Sequence, residues 1–89
     1  MITFHYTIND PLGIHARPAG MLARLAKDYA DHTVTVTRGE DTVRVNPMMK
    51  LMSLAIKQGD AVTVTVEGSD PAVEKEAADA FRRFFEQNL

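Results

Sequence analysis

Ala61-Val62-Thr63-Val64-Thr65-Val66 alternates valine with threonine. Side chains on a strand point in turn to opposite faces, so this strand has one apolar face and one hydroxylated face. Thr33-Val34-Thr35-Val36-Thr37 repeats the pattern. So do residues 2 to 8, where Ile2, Phe4, Tyr6 and Ile8 alternate with Thr3, His5 and Thr7 before Asn9-Asp10-Pro11 breaks the run. Thr42-Val43-Arg44-Val45 is the remaining strand, joined to the 33–37 strand by the hairpin turn Arg38-Gly39-Glu40-Asp41. A sheet with one apolar and one polar face is most simply antiparallel, with helices covering one side and water the other.

Three segments supply the cover. From about Ala16 to Tyr29, residues Ala19, Leu22, Ala23, Ala26 and Tyr29/Ala30 recur at helical spacing. Asn46-Pro47 reads as an N-cap followed by a proline at the first helical position. It opens a short helix through Met48, Met49, Leu51, Met52 and Leu54 that ends at Gln58-Gly59-Asp60. Asp70-Pro71 repeats the cap for a last helix with Val73, Ala77, Ala80, Phe81 and Phe84 on one face. Glu74 and Glu76 stand early in it and Arg82 and Arg83 late, as the helix dipole prefers. The order strand, helix, strand, strand, helix, strand, helix defines an α+β fold, a single domain over residues 1–89 without repeats or linkers.

Composition narrows the function. A chain of 89 residues buries roughly 60 to 70% of its unfolded surface, which supports one modest core. A formal charge of −2 argues against nucleic acid as a general partner, and the lack of cysteine removes disulfides and thiolate metal sites. Met1-Ile2-Thr3-Phe4-His5 has no basic leader region, and no apolar run approaches the ~18 residues of a spanning helix, so a cytoplasmic protein without membrane insertion is expected. His5, His15 and His32 are too dispersed for a sequence-local metal motif, and no metal or cofactor is expected. His5, on the threonine face, and His32, in a loop, read as solvated. The glycines fit no nucleotide-binding pattern, and Ser53 has no nucleophile elbow around it.

Chemistry concentrates in Gly13-Ile14-His15-Ala16-Arg17-Pro18-Ala19, the junction between the first strand and the first helix. Gly13 gives the chain freedom to turn, and His15 falls at the N-cap. Ala16, Arg17 and Pro18 occupy the first turn, where proline's missing N–H is no loss. The amides of Ala16 and Arg17 then point outward. With the positive end of the helix dipole and a guanidinium, they make a site for a tetrahedral dianion. Because a neutral imidazole is a competent nucleophile near pH 7, His15 itself is the candidate for phosphorylation. The alternative for an isolated His-x-Arg is a surface cap residue beside a solvated charge. Beside this turn, Gly20, Met21, Arg24 and Lys27 line the first helix away from Leu22, Ala23 and Ala26. Four apolar side chains in five residues of the short helix exceed one buried stripe, so Met48, Met49 and Met52 are candidates for a flexible contact surface, whereas Leu51 and Leu54 belong to the core.

The stretch from Gly13 to Ala19 resembles the phosphorylation-site signature of HPr, the histidine-containing phosphocarrier family of the bacterial phosphotransferase system. Met52-Ser53-Leu54-Ala55 with Gln58-Gly59-Asp60 is a second similar stretch, and the resemblance extends over essentially the whole chain. It implies an open-faced β-sandwich, a four-stranded antiparallel sheet in the order first-fourth-second-third with three helices on one face. It also implies a phosphoryl group carried on Nδ1 of His15, enzyme I as donor, enzyme IIA proteins as acceptors and a stoichiometric carrier rather than an enzyme. Positions matching Met48, Met49 and Met52 line the family's partner surface. One departure is visible. Many relatives of Gram-positive type carry a kinase-targeted serine at the start of the second helix, where this chain has Pro47, and Lys50 stands where glycine is common. No regulatory serine is therefore expected there, and Ser53 sits too late in the helix to replace it. A nitrogen-branch carrier and a non-transferring regulatory module of the same fold are the alternative readings.

Overall fold

The computed structural model describes residues 1–89. Strands β1 (Ile2–Thr7), β2 (Thr33–Arg38), β3 (Asp41–Arg44) and β4 (Ala61–Glu67) alternate with helices α1 (Ala16–Lys27), α2 (Met48–Met52) and α3 (Pro71–Asn88). The strands form one antiparallel sheet in the order β1-β4-β2-β3. Its register keeps like with like. Phe4 pairs with Val64 and Val64 with Val36, while Thr3 pairs with Thr65 and Thr65 with Thr35. Phe4, Val34, Val36, Val62, Val64 and Val66 are buried beneath the helices, and the threonines face outward.

Phe81, Phe85, Leu22 and Leu51 fill the space between sheet and helices. Phe85 packs edge-on against Phe4 and Tyr6, at ring separations of 5.9 and 5.5 Å. Such aromatic pairs add about 0.5–1.5 kcal/mol beyond the area they bury. They also fix how α3 rolls on the sheet. The buried stripe is Glu74, Ala77, Ala78, Phe81 and Phe85, whereas Val73, Ala80 and Phe84 are half-buried at its margin. The expected stripe through Val73, Ala80 and Phe84 is thus displaced by about one residue, because α3 also borders α1, where Phe84 lies with Met21 and Leu25.

Helix starts divide in the same way. Asp70 caps α3 as expected, its Oδ1 accepting from the amides of Ala72 (3.0 Å) and Val73 (3.4 Å). Asn46 does not cap α2. The half-in residue is Pro47, whose extended backbone (φ −78°, ψ 151°) supplies the carbonyl that accepts from the Lys50 amide at 3.1 Å. Because the backbone of Pro47 itself is extended, unlike that of Pro71 in α3, the helix begins after the proline rather than on it. It also stops at Met52, short of Leu54.

Two polar residues are more enclosed than their sequence context implies. Glu74 is buried, and its carboxylate accepts from the Met1 ammonium at 2.9 Å and the Gly68 amide at 3.0 Å. Those two partners hold its carboxyl below the usual range. His32 is half-buried rather than free in solvent. Its ring lies against Gly68 with Nε2 buried and unpartnered, and a Cβ at Gly68 would fall 2.0 Å from the ring.

Candidate functional site

The loop between β1 and α1 is held from both sides before it presents His15. Gly13 has φ +65°, and a Cβ there would stand 2.2 Å from the carbonyl oxygen of Ile56, so only glycine meets both the torsion and the space. The Ile14 amide donates to that same Ile56 carbonyl at 3.0 Å, and the Ile14 side chain is buried. On the other side of His15, Pro18 and Ala19 are buried in the first turn of α1. The imidazole is therefore carried on a short span between two packed anchors.

The support behind Gly13 is itself clamped. Arg38, at the end of β2, donates to the Ala55 carbonyl at 3.1 Å and reaches Asp60 at 3.4 Å. Asp60 accepts from the Lys57 amide at 2.8 Å. That amide, aided by Arg38, holds the Asp60 carboxyl below its ordinary value. Ala55 has φ +49°, a conformation that costs a non-glycine residue about 1–3 kcal/mol and persists where its surroundings dictate it. Here the Ala55 amide donates to the Met52 carbonyl at 3.1 Å and its carbonyl accepts from Arg38.

His15 is the N-cap of α1 with extended backbone (φ −102°, ψ −175°), and its carbonyl accepts from the Ala19 amide at 3.0 Å. Its imidazole makes no capping hydrogen bond, so the ring is half-buried and uncommitted. The amides of Ala16 and Arg17 have no partner in the chain, and no acidic side chain stands in the first turn to neutralise the positive end of the dipole. Arg17 is exposed and shares with His15 a shallow cavity of about 150 Å3, also lined by Asp10, Pro18, Met21 and Asn88. An uncommitted imidazole and a guanidinium line that cavity at a helix N-terminus with two free amides, an arrangement chemically suited to a phosphate-sized anion.

Arg17 and Met21 also border a groove of about 520 Å3 between α1 and α2, with Gly20, Arg24, Lys27, Asn46, Pro47 and Met48. The helices approach closely where Met48 Sδ would lie 3.7 Å from a Cβ on Gly20. The sequence-derived contact residues thus divide. Gly20, Met21, Arg24, Lys27 and Met48 line the groove, whereas Met49 projects outside it at 69% exposure and Met52 packs half-buried on the core. Ser53 lies at the C-cap of α2, its hydroxyl donating to the Lys50 carbonyl. His5 lies on the threonine face, bonded to Thr63 at 3.0 Å. Asp10 and Asn88 escaped the sequence reading. Asp10 stood in a strand-breaking Asn-Asp-Pro, and nothing in the local pattern marks Asn88 as a neighbour of residue 15.

An open-faced α+β sandwich with an uncommitted histidine beside an arginine at a helix N-terminus, and a groove next to them, fits the class of phosphoryl carriers. The family model described as "PTS HPr component phosphorylation site" matches residues 2–87. The phosphocarrier protein HPr of Mycoplasma genitalium is 35% identical over 88 residues, which cover 99% of this chain and 97% of the relative. That of Mycoplasma pneumoniae is 36% identical over 81 residues, covering 91% and 89%. The crystal structure of HPr from Bacillus anthracis superposes with a TM-score of 0.81 at 28% identity, over 94% of this chain and 95% of that one. The chain belongs to the HPr family, the non-catalytic phosphocarriers of the phosphotransferase system. No helix is long and apolar enough to cross a membrane.

Proposed function

We propose that His15 is the residue that carries the phosphoryl group, on Nδ1, and that Arg17 with the amides of Ala16 and Arg17 holds its oxygens. The observation that carries this reading is an imidazole left uncommitted at a helix N-terminus whose first amides lack partners, in one cavity with Arg17. Phosphorylated enzyme I is the donor, and sugar-specific enzyme IIA proteins are the acceptors. In each transfer the donor's N–P bond breaks as a new N–P bond forms. The receiving imidazole gives up its N–H proton, and the donor nitrogen regains one. The positive first turn steadies the charge, while the partner supplies the remaining chemistry. The groove between α1 and α2 is the docking surface, with Arg24 and Lys27 facing acidic partner groups and Met21 and Met48 supplying adaptable apolar contact. Incubation with enzyme I, magnesium and phosphoenolpyruvate tests the assignment. One acid-labile, alkali-stable phosphate is expected by mass, and its persistence in His15→Ala would refute the assignment. Parallel transfer to sugar-specific and nitrogen-type enzyme IIA proteins separates the carbon from the nitrogen branch.

A further inference from the structure

Asp10 braces the turn that leads into His15. Its amide donates to the main-chain oxygen of Leu89 at 2.8 Å, and its carbonyl accepts from the Gly13 amide at 2.9 Å. Its Oδ1 accepts from the Leu12 amide at 2.8 Å, an Asx turn, and Oδ2 accepts no hydrogen bond within the chain. The same side chain is the only acidic group lining the cavity that holds His15 and Arg17. A carboxylate in a site otherwise arranged for an anion works against the occupant. An asparagine could make the same turn equally well, since an amide oxygen accepts the same bond, so the turn alone does not call for the charge.

We propose that Asp10 sets how readily the phosphoryl group leaves His15. Its Oδ1 ties the turn that orients the imidazole, and its charge opposes the phosphoryl dianion, so that Arg17 and the helix amides cannot retain the group. This rests on the carrier reading of His15. Two groups lining one small cavity stand within a Debye length of each other, at a separation taken as about 7 Å. Across that distance in a water-like dielectric, repulsion between a single and a double negative charge changes an equilibrium by about three- to eight-fold, the lower figure with salt screening.

The test separates the charge from the turn. Asp10→Asn removes the charge and keeps the acceptor, whereas Asp10→Ala removes both. Two measurements are made on each full-length protein. One is the phosphoryl equilibrium between enzyme I and His15. The other is the affinity for inorganic phosphate, read from the Ala16 and Arg17 amide resonances. Asp10→Asn is expected to shift both toward the bound phosphate by about three- to eight-fold, with the Leu12 and Gly13 resonances nearly unmoved. Asp10→Ala is expected to displace those loop resonances as well. An Asp10→Asn protein matching wild type in phosphate affinity would overturn the proposal. If wild-type His15 accepts nothing from enzyme I, the carrier assignment fails, and the phosphate titration still decides the role of the Asp10 charge.

Discussion

Gly13→Ala is the substitution whose cost can be worked most directly from the structure. The new methyl would stand 2.2 Å from the Ile56 carbonyl oxygen and 2.8 Å from Lys57 Cα, on backbone at φ +65°. Left-handed backbone costs an L-residue about 1–2 kcal/mol. The loop must move to relieve the overlap, at about 1–3 kcal/mol for overpacking. The movement weakens the Ile14–Ile56 hydrogen bond, worth about 1 kcal/mol. Reduced freedom of the unfolded chain returns about 0.4–1 kcal/mol. The net destabilisation is about 3–4 kcal/mol. Gly39 is the internal control, because its φ of +61° is nearly the same and nothing lies within 4 Å of a Cβ built there. Gly39→Ala should cost only about 1 kcal/mol. Urea and thermal unfolding of the two variants should differ by about 2–3 kcal/mol, or about 10–20 °C in Tm for a domain of this size. Equal losses in the two variants would refute the steric part of the reasoning and leave Ile56 without a role in seating His15.

Arg17→Ala should leave the melting temperature within a few degrees of wild type while slowing phosphoryl transfer about 10- to 100-fold, in line with charge-assisted bonds of about 1.5–3 kcal/mol; stopped-flow or quench measurements would check it. Met49→Glu, which puts a charge next to the groove residue Met48 on the same helix, should weaken enzyme I binding in calorimetric titration; because Met49 is exposed, its stability change should stay within about 0.5 kcal/mol. Met48→Glu should also lower stability, by about 1–3 kcal/mol, because that side chain packs on the core. Glu74 and Asp60 have folded-state pKa values below their unfolded ones, so their contributions are complete above the ordinary carboxylate range and fade as pH falls through the lower folded values. Urea midpoints should therefore drop below about pH 4, and less steeply in Glu74→Gln, where stability is lower throughout. With HPr kinase and ATP the protein should acquire no acid-stable phosphate and keep its His15 transfer rate. A phosphate mapped to Ser53 that lowers the rate would show that the control has moved rather than vanished.

The sheet was legible in the sequence because its period of two is strict and one face is almost entirely threonine. Asp70 was legible as a cap because a short carboxylate before proline has a local task at a helix start. What stayed hidden depends on partners distant in the chain. The roll of α3 is chosen by Phe85 against Phe4 and Tyr6, and no pattern within residues 71–88 distinguishes that stripe from its neighbour. Glu74 reads as an ordinary first-turn acid until Met1 and Gly68 are found around it. His32 looks like loop until Gly68 is seen to make room for its ring. His15 and Arg17 stood out because these two residues of the candidate site lie two positions apart in one turn. Asp10 and Asn88 did not, because only the closed fold brings them to the same cavity.

The strand order β1-β4-β2-β3 has a consequence for how the protein is made. β1 has a single partner, β4, and Ile2 pairs with Val66, so the first strand cannot be hydrogen-bonded into the sheet until almost three-quarters of the chain exists. Pairings of such long sequence separation form late and slowly, since loop closure precedes any gain from contact. Ribosomes add about 5–20 residues per second, so the stretch from His15 to the end of β4 takes about 3–10 s to synthesise. For most of that interval, until residue 56 is made, the histidine is present without the Ile56 carbonyl that seats its turn. With His15 as the proposed acceptor, a nascent chain displays no competent site, and a phosphoryl donor meets it in folded geometry only on molecules whose sheet has closed.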